Sequence, residues 1–356
     1  MDEITMVLEN ITQGINMMKG MGDERGLAAA LSMRGLLYFQ VGQFSEAIGD
    51  STQAINIMER IRRSGQLIDE NELAKAYAGR AMSYHVINDN AQAIPDLNSC
   101  IKLWERLQKE SQAVEEGFLF SIYIIRAGLL NTTYDGMDIA ISDCHKSIAI
   151  AKRLHEAGED FDVNGLASAY MGIAVSCDQK EAFEEANANY DECLEIWEEL
   201  KNAGEEVEES NMASAYMNRG SNYYQMGQID RALLDYNKCI AIRERLQKEN
   251  SDENDIFDLF MAYKNRSQAY ELDNNTKSAI KDLVVALQVA KGAFSSHIDI
   301  QKHYYDILEE LIELIAEERN NELLQRILQE FLHSMRQIPK TPDAERAQNN
   351  LLRQFG

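Results

Sequence analysis

A small residue returns at a step of 46 or 47 positions along this chain, at Gly35, Ala81, Ala127, Ala174, Gly220 and Ser267. A second series keeps time with it at Ala47, Ala93, Ala140, Ala186, Ala232 and Ala279. Self-similarity at one fixed step restricts the chain to an array of stacked copies, because each copy is too small to bury its own apolar face and needs its neighbours. The clearest copy runs from Met212 to Glu249, MASAYMNRGSNYYQMGQIDRALLDYNKCIAIRERLQKE. Its apolar residues fall at helical spacing on either side of Gln225-Met226-Gly227, where a glycine can take the left-handed conformation that ends a helix. Each copy therefore reads as two antiparallel helices, here called A and B, and the small residues mark where the two cross too closely for larger side chains.

A third small slot follows at Ala54, Cys100, Ser147, Cys193, Cys239 and Ala286, with larger residues between at Tyr190, Tyr236 and Leu283. A tyrosine stands three after the first slot at Tyr38, Tyr84, Tyr223 and Tyr270. With Asn218-Arg219-Gly220 in helix A and Ala232 to Tyr236 in helix B, the sequence resembles the tetratricopeptide repeat family from about Leu27 to Ala290. The resemblance implies an all-α fold, a right-handed superhelical solenoid of antiparallel helix hairpins, and says little about activity. The family unit is about 34 residues long; the copies here carry roughly a dozen more, all after the third small slot.

This grammar divides the chain. Thr12-Gln13-Gly14-Ile15-Asn16-Met17-Met18 mirrors Thr52 to Met58, so residues 1–26 read as a half repeat, a lone helix B capping the array. Six hairpins are expected over 27–72, 73–118, 119–165, 166–211, 212–258 and 259–297, with helix A starting at Leu27, Leu73, Leu119, Leu166, Met212 and Leu259. Their turns carry Gly42, Asn88, Gly136, Gly227 and Asn274, which tolerate the left-handed conformation; the fourth turn, near Lys180-Glu181, has no such residue. Residues 298–338 carry two apolar stripes, Tyr304, Ile307, Leu308, Leu311, Ile312 and Ile315, then Leu324, Ile327, Leu328, Phe331, Leu332 and Met335. They read as a degenerate seventh hairpin that closes the array. In 339–356, Thr341 and Pro342 start a short helix whose Ala347, Leu351, Leu352 and Phe355 fold back or offer a homodimer contact through the C-terminal helices.

The extra residues are periodic too. Ile68, Val114, Phe161 and Val207 each stand five before an expected helix A and are followed by acids, while Arg60, Arg106, Arg153 and Arg245 end an elongated helix B. Acids suit the positive start of a helix and bases its negative end. The acids could alternatively attract a cationic partner or ion.

The most regular polar feature pairs an arginine in helix A with an aspartate in helix B: Arg34 with Asp50, Arg80 with Asp96, Arg126 with Asp143, Arg219 with Asp235, and Arg266 with Asp282. The fourth copy has lost both, carrying Ile173 and Asn189. Joint loss is what a direct ion pair imposes, since a buried charge left alone costs about 3–5 kcal/mol while replacing both partners can be neutral. The rival reading has the arginines lining a ligand groove.

The 356 residues carry a formal net charge of −24 and only 3 prolines, which suits a long helical array and disfavours nucleic acid as a partner. The acidic start, MDEITMVLEN, lacks the features of a signal peptide, and no apolar run is long enough for a membrane. Five cysteines, three of them in the third small slot, read as buried small residues of a reducing compartment, so a cytoplasmic location is expected. The histidines His85, His145, His155, His297, His303 and His333 show no metal-ligand spacing, and no phosphate-cradling loop is present. The expectation is a non-enzymatic protein with no catalytic residues, no metal and no cofactor.

What the resemblance implies for binding is a concave groove walled by helix A positions that flank the small residue. Carried across, these are Phe39; Met82 and His85; Ile124 and Asn131; Met171 and Asp178; Met217, Ser221 and Tyr224; and Lys264 and Gln268. The lysine and asparagine set with which the family clamps a peptide carboxylate is not matched. A neutral wall of methionine, aromatic and amide groups suits a protein or peptide segment of mixed polarity. The implied function is a protein-protein interaction scaffold; the alternative is a regulatory sensor whose superhelix closes on a small peptide signal.

Overall fold

The computed structural model describes residues 3–131, 134–249, 253–290 and 298–317. Among them every regular element is helical: α1 Glu3–Met21, α2 Glu24–Gln40, α3 Phe44–Arg63, α4 Glu70–Val86, α5 Asn90–Lys109, α6 Glu116–Leu130, α7 Met137–Ala157, α8 Val163–Gln179, α9 Phe183–Ala203, α10 Glu209–Gln225, α11 Ile229–Glu249, α12 Glu253–Leu272, α13 Thr276–Ala290 and α14 Ile298–Glu317. The chain forms two compact units, Met1–Ser176 and Cys177–Gly356, which divide inside α8. In the first, α2 packs on α3, α4 on α5 and α6 on α7, and α1 lies against α2. In the second, α10 pairs with α11 and α12 with α13, flanked by α9 and α14. The fold class is the all-α hairpin array that the repeat implies.

The small slots are filled as the close crossing demands. Ala47, Ala93, Ala140, Ala186, Ala232 and Ala279 are fully buried, each three residues into its helix. A Cβ added to Gly35 would meet Ser51 Oγ at 2.9 Å and the Ala47 carbonyl at 3.3 Å, so the helices touch backbone to backbone there. Trp104, Phe120 and Tyr123 fill the core of the first unit; Tyr190, Trp197, Tyr216 and Phe260 are buried in the second. The inter-repeat residues Ile68, Val114 and Phe161 are half-buried against that first core, with Phe161 edge-on to Phe120 at 6.2 Å.

Helix A begins earlier than the apolar pattern puts it, by three residues in five copies and by six in α12. The pattern marks the first side chain that packs, whereas the backbone turn begins at the acids before it. Asp69 shows the cause: its carboxylate accepts from the backbone N–H of Asn71 at 2.9 Å and of Glu72 at 3.3 Å, capping α4.

The turns bring a correction. Gly42, Asn88, Gly227 and Asn274 have φ of 75°, 59°, 71° and 56°, in the left-handed region. Gly136 does not; at φ −86° it is the residue before α7 and closes a 3-10 turn, Tyr134–Gly136, that absorbs the extra residue of this copy. In the fourth turn Glu181 itself takes φ 59°, although it has a side chain. Of the expected seventh hairpin, α14 is described, with Tyr304, Ile307, Leu308, Leu311 and Ile315 buried. Its second stripe, the short helix in 339–356 and the homodimer contact assigned to it lie outside the described residues.

Candidate functional site

Each of five arginines in helix A grips its aspartate in helix B with a two-pronged fork. The Nε to Oδ2 distances are 2.6 Å for Arg34 and Asp50, 2.7 Å for Arg80 and Asp96, 2.7 Å for Arg126 and Asp143, 2.7 Å for Arg219 and Asp235, and 2.6 Å for Arg266 and Asp282. Nη2 reaches Oδ1 in every case, at 2.7 to 2.9 Å. Paired forks of this kind are stronger than single neutral hydrogen bonds and fix geometry as well. Burial opposes the charge on Arg219, but Asp235 outweighs it and the guanidinium is held above its ordinary pKa.

The third prong, Nη1, goes elsewhere. It donates to Thr12 from Arg34, to Thr52 from Arg80, to Asn98 from Arg126, to Asp191 from Arg219 and to Asn237 from Arg266. Each acceptor lies on the preceding helix B, or on α1 for the first, so one guanidinium ties three helices together. Tyrosine rings flank the cation, as Tyr216 and Tyr223 do at 5.5 and 5.9 Å from Arg219. The guanidinium groups are thus committed to packing the hairpins.

The fourth copy is held differently. Ile173 is buried, and Asn189 turns away to donate to the Glu185 carbonyl at 2.9 Å. Nearby, Asp178 accepts from Tyr190 Oη at 2.6 Å and from Asn222 Nδ2 at 2.5 Å, and the same Asn222 amide donates to Asn187 Oδ1 at 3.0 Å. Burial raises the pKa of Asp178 against the two hydrogen bonds, which favour its charged form.

The helix A positions assigned to a binding wall divide into two groups. Asn131 is buried; it donates to the Gly172 carbonyl at 3.0 Å and accepts from Ser176. Asp178 is spent on Tyr190 and Asn222 as described. These two therefore join neighbouring helices instead of facing a partner, because the last turn of one helix A lies beside the next. Ser221 is also engaged, donating to the Met217 carbonyl at 3.0 Å and accepting from Tyr236.

Phe39, Met82, His85, Ile124, Met171, Met217, Tyr224, Lys264 and Gln268 are half-buried. Phe39 stands edge-on to Phe44 at 5.7 Å. Met82 and Ile124 rest against the core of the first unit, and Met217 and Tyr224 against Tyr236 and Ala269 in the second. In the first unit Met82 lines a cleft of about 820 Å³ together with Val114, Phe118, Ser121 and Leu154, with Glu115, Glu116, Arg153 and Glu159 also on its walls. A cleft of this size and lining can hold an apolar side chain and the backbone around it.

A carboxyl pair lies at the other end of the same series of positions. Glu310 of α14 lies against Glu271 of α12, with Lys264 and Glu313 close by. Burial, and then the charge of Glu271, push the Glu310 carboxyl up to about 7. Burial together with the two glutamates also raises the pKa of Tyr224.

Two families of contact were missed from the sequence although their spacing was available. Helix B ends on a base that reaches back to the first turn of its own helix A: Arg60 to Glu24 at 2.7 Å, Arg153 to Glu116 at 3.0 Å, and likewise Arg106 to Glu70 and Arg245 to Glu209. In addition, Tyr77, Tyr123, Tyr216 and Tyr263 each donate to a glutamate of the preceding helix B, Glu59, Glu105, Glu198 and Glu244. A recurring separation between the partners, 36 or 37 residues in the first family and 18 or 19 in the second, was the available signal.

All five cysteines are free and buried, and burial pushes the thiols of Cys100, Cys144, Cys193 and Cys239 up to about 12, far from the thiolate a nucleophile needs. Among the described residues no group of three His, Cys, Asp or Glu side chains could hold a metal ion, and no helix is long and apolar enough to cross a membrane.

Residues 213–245 match the family model described as Tetratricopeptide repeat. Among solved structures, a signal transduction ATPase with numerous domains from Pyrococcus horikoshii, described as having a tetratricopeptide repeat sensor, superposes with TM-score 0.56 at 16% identity, over 80% of this chain and 38% of that one. The apo form of RapI gives TM-score 0.55 at 14% identity, covering 90% of this chain and 80% of that chain. BtubC from P. vanneervenii gives 0.51 at 20% identity, over 71% of this chain and 93% of its own. At such identities the likeness is one of fold. No curated protein matches the sequence.

Proposed function

As a tetratricopeptide repeat protein, this chain acts, we propose, as a non-enzymatic protein-protein interaction scaffold that holds an extended partner segment against its helix A wall. The observation that carries the reading is the cleft beside Met82, where apolar residues of α4, α6 and α7 leave about 820 Å³ open. A methionine adapts its shape to varied apolar anchors, and a segment lying there is fixed by one buried side chain. Met217 and Tyr224 supply the corresponding surface in the second unit, whereas Asn131 and Asp178 are left out because their polar atoms are already bonded within the fold.

Selection of peptides from a displayed random library tests this directly. The expected outcome is a set sharing one large apolar residue, bound at least about tenfold more weakly after Met82→Glu or after Met217→Glu with Tyr224→Ala. Met33→Glu, at a residue 58% exposed on α2, serves as the control that leaves affinity unchanged. Peptides insensitive to both Met82→Glu and the Met217→Glu with Tyr224→Ala variant, or none selected at all, overturn the reading. A sensor that closes on a peptide signal differs in one measurable respect: the radius of gyration of the protein contracts when the selected peptide is added, whereas a scaffold keeps its dimensions.

A further inference from the structure

We infer that the groove between α3 and α5 is a second docking surface, which takes an extended acidic segment of a partner protein. Away from the helix A wall, successive helices B leave two neighbouring grooves in the first unit. One, of about 490 Å³, lies between α3 and α5 and includes Tyr77 of α4 in its lining; the other, of about 590 Å³, lies between α5 and α7 and includes Leu119 and Tyr123 of α6. Buried apolar side chains line both, Leu103 in the first and Ile150 in the second. Glu105 and Lys109 of α5 belong to both linings, so this helix is the ridge between the grooves.

Cations crowd the ridge and its flanks. Arg62, Lys102, Arg106, Lys109, Lys146 and Arg153 line the two grooves against the carboxylates of Glu59 and Glu105, in a chain of net charge −24. Four of these cations are committed within the fold: Arg62 to Glu59 at 2.8 Å, Lys146 to Glu105 at 2.6 Å, Arg153 to Glu116 at 3.0 Å, and Arg106 to Glu70. The two carboxylates are occupied as well, since Tyr77 also donates to Glu59 and Tyr123 to Glu105. Lys102 and Lys109 remain. Both are exposed, both line the first groove, and among the described residues neither has an acidic partner. The repeat does not call for the first of them, because Asn56, Ala149, Glu195 and Ala241 stand at the position of Lys102 in other copies. Packing therefore leaves these two ammonium groups unused beside a concave apolar floor, where they complement a carboxylate.

Spacing and shape choose the occupant. Lys102 and Lys109 are two helical turns apart on α5, or about 10 Å along its axis. In an extended polyproline-like segment, residues three apart share one side and stand about 9 Å from each other, so two acids at that spacing meet both lysines. An apolar residue between them turns down onto Leu103 and Tyr77. A bilayer surface is too flat to reach that floor. The unbroken phosphate run of a nucleic acid extends past the groove and meets the repulsion of a strongly acidic chain. A few carboxylates, by contrast, stay within the roughly 8 Å over which the lysines act at physiological salt.

Peptide display on the full chain tests the proposal, after subtraction of every peptide that binds Lys102→Glu with Lys109→Glu. The helix A wall is intact in that variant, so ligands of the wall leave with the subtracted pool and the two readings fail separately. The expected survivors carry acids at least about twofold above the unselected library, paired three apart around an apolar residue. A synthetic survivor should bind at least about tenfold more weakly to Lys102→Ala with Lys109→Ala. Its affinity should be unchanged in Lys152→Glu with Lys248→Glu, exposed lysines outside both grooves whose reversal shifts the net charge further. Circular dichroism should show every variant folded, since all four side chains are exposed. No survivors, survivors without acid enrichment, or equal weakening by the changes at Lys152 and Lys248 overturns the inference. So does tighter binding of oligothymidylate, or of phosphatidylserine vesicles, than of the peptide through Lys102 and Lys109.

Discussion

Arg219 and Asp235 meet across the hairpin of α10 and α11 through two parallel hydrogen bonds of 2.7 and 2.8 Å, with the aspartate side chain only 2% exposed. Removing one member strands the other. Arg219→Ile should cost about 3–5 kcal/mol in urea unfolding, whereas Arg219→Ile with Asp235→Asn, the residues that the fourth copy carries, should cost much less. Additive losses in the double-mutant cycle would show that the two groups do not interact.

The fourth copy should depend on Tyr190 instead. Its hydroxyl is one of two donors holding the Asp178 carboxylate, so Tyr190→Phe should lower stability by about 1–3 kcal/mol. The same change in an Asp178→Leu background should cost far less, and an equal cost in both backgrounds would mean that the hydroxyl acts through some other contact.

The turn at Glu181 offers a gain. A side chain at φ 59° is strained by about 1–2 kcal/mol, partly offset in glycine by its greater freedom when unfolded. Glu181→Gly should therefore stabilise by up to about 1 kcal/mol, and Gly227→Glu, made at the matching turn with φ 71°, should destabilise by a similar amount. Melting temperatures that move in the same direction for both variants would refute the strain argument.

Protonation should govern how firmly α14 is held. The Glu310 carboxyl is raised from an ordinary value of 4.5 to about 7, so the folded state takes up a proton that the unfolded state has released between those limits. Stability linked to this group is full below pH 4.5 and is lost as pH rises through about 7. Hydrogen exchange of the α14 amides, corrected for intrinsic rates, should report weakening protection across that window in the native chain. Glu310→Gln should flatten the trend, and a slope that persists in the variant would place its origin elsewhere.

How much of this was legible in the sequence depended on whether the cause lies within one copy or between copies. The step of the array and the small slots are set by side-chain volume at a crossing, and volume is written in the residue type. Helix starts were displaced because the eye follows Leu73, which packs, while the backbone obeys Asp69, which caps. Gly136 misled for a similar reason: a glycine permits the left-handed turn but does not require it, and one additional residue made a 3-10 turn the shorter route. Asn131 and Asp178 were placed on the wall by register alone. Their partners, Gly172, Tyr190 and Asn222, belong to other helices whose distance no single-copy pattern encodes.

The arginines at the ends of helix B have a physical character unlike that of the forks. Arg60 and Glu24 are 62% and 53% exposed, against 12% and 1% for Arg126 and Asp143. Electrostatic screening shortens from about 10 Å at 0.1 M salt to about 3 Å at 1 M, and it acts on charges that water can reach. Concentrated salt should therefore loosen the open ends of the hairpins, where Arg60 and its counterparts bridge the two helices, and leave their crossings intact. The molecule would fray at its edges long before its repeats come apart.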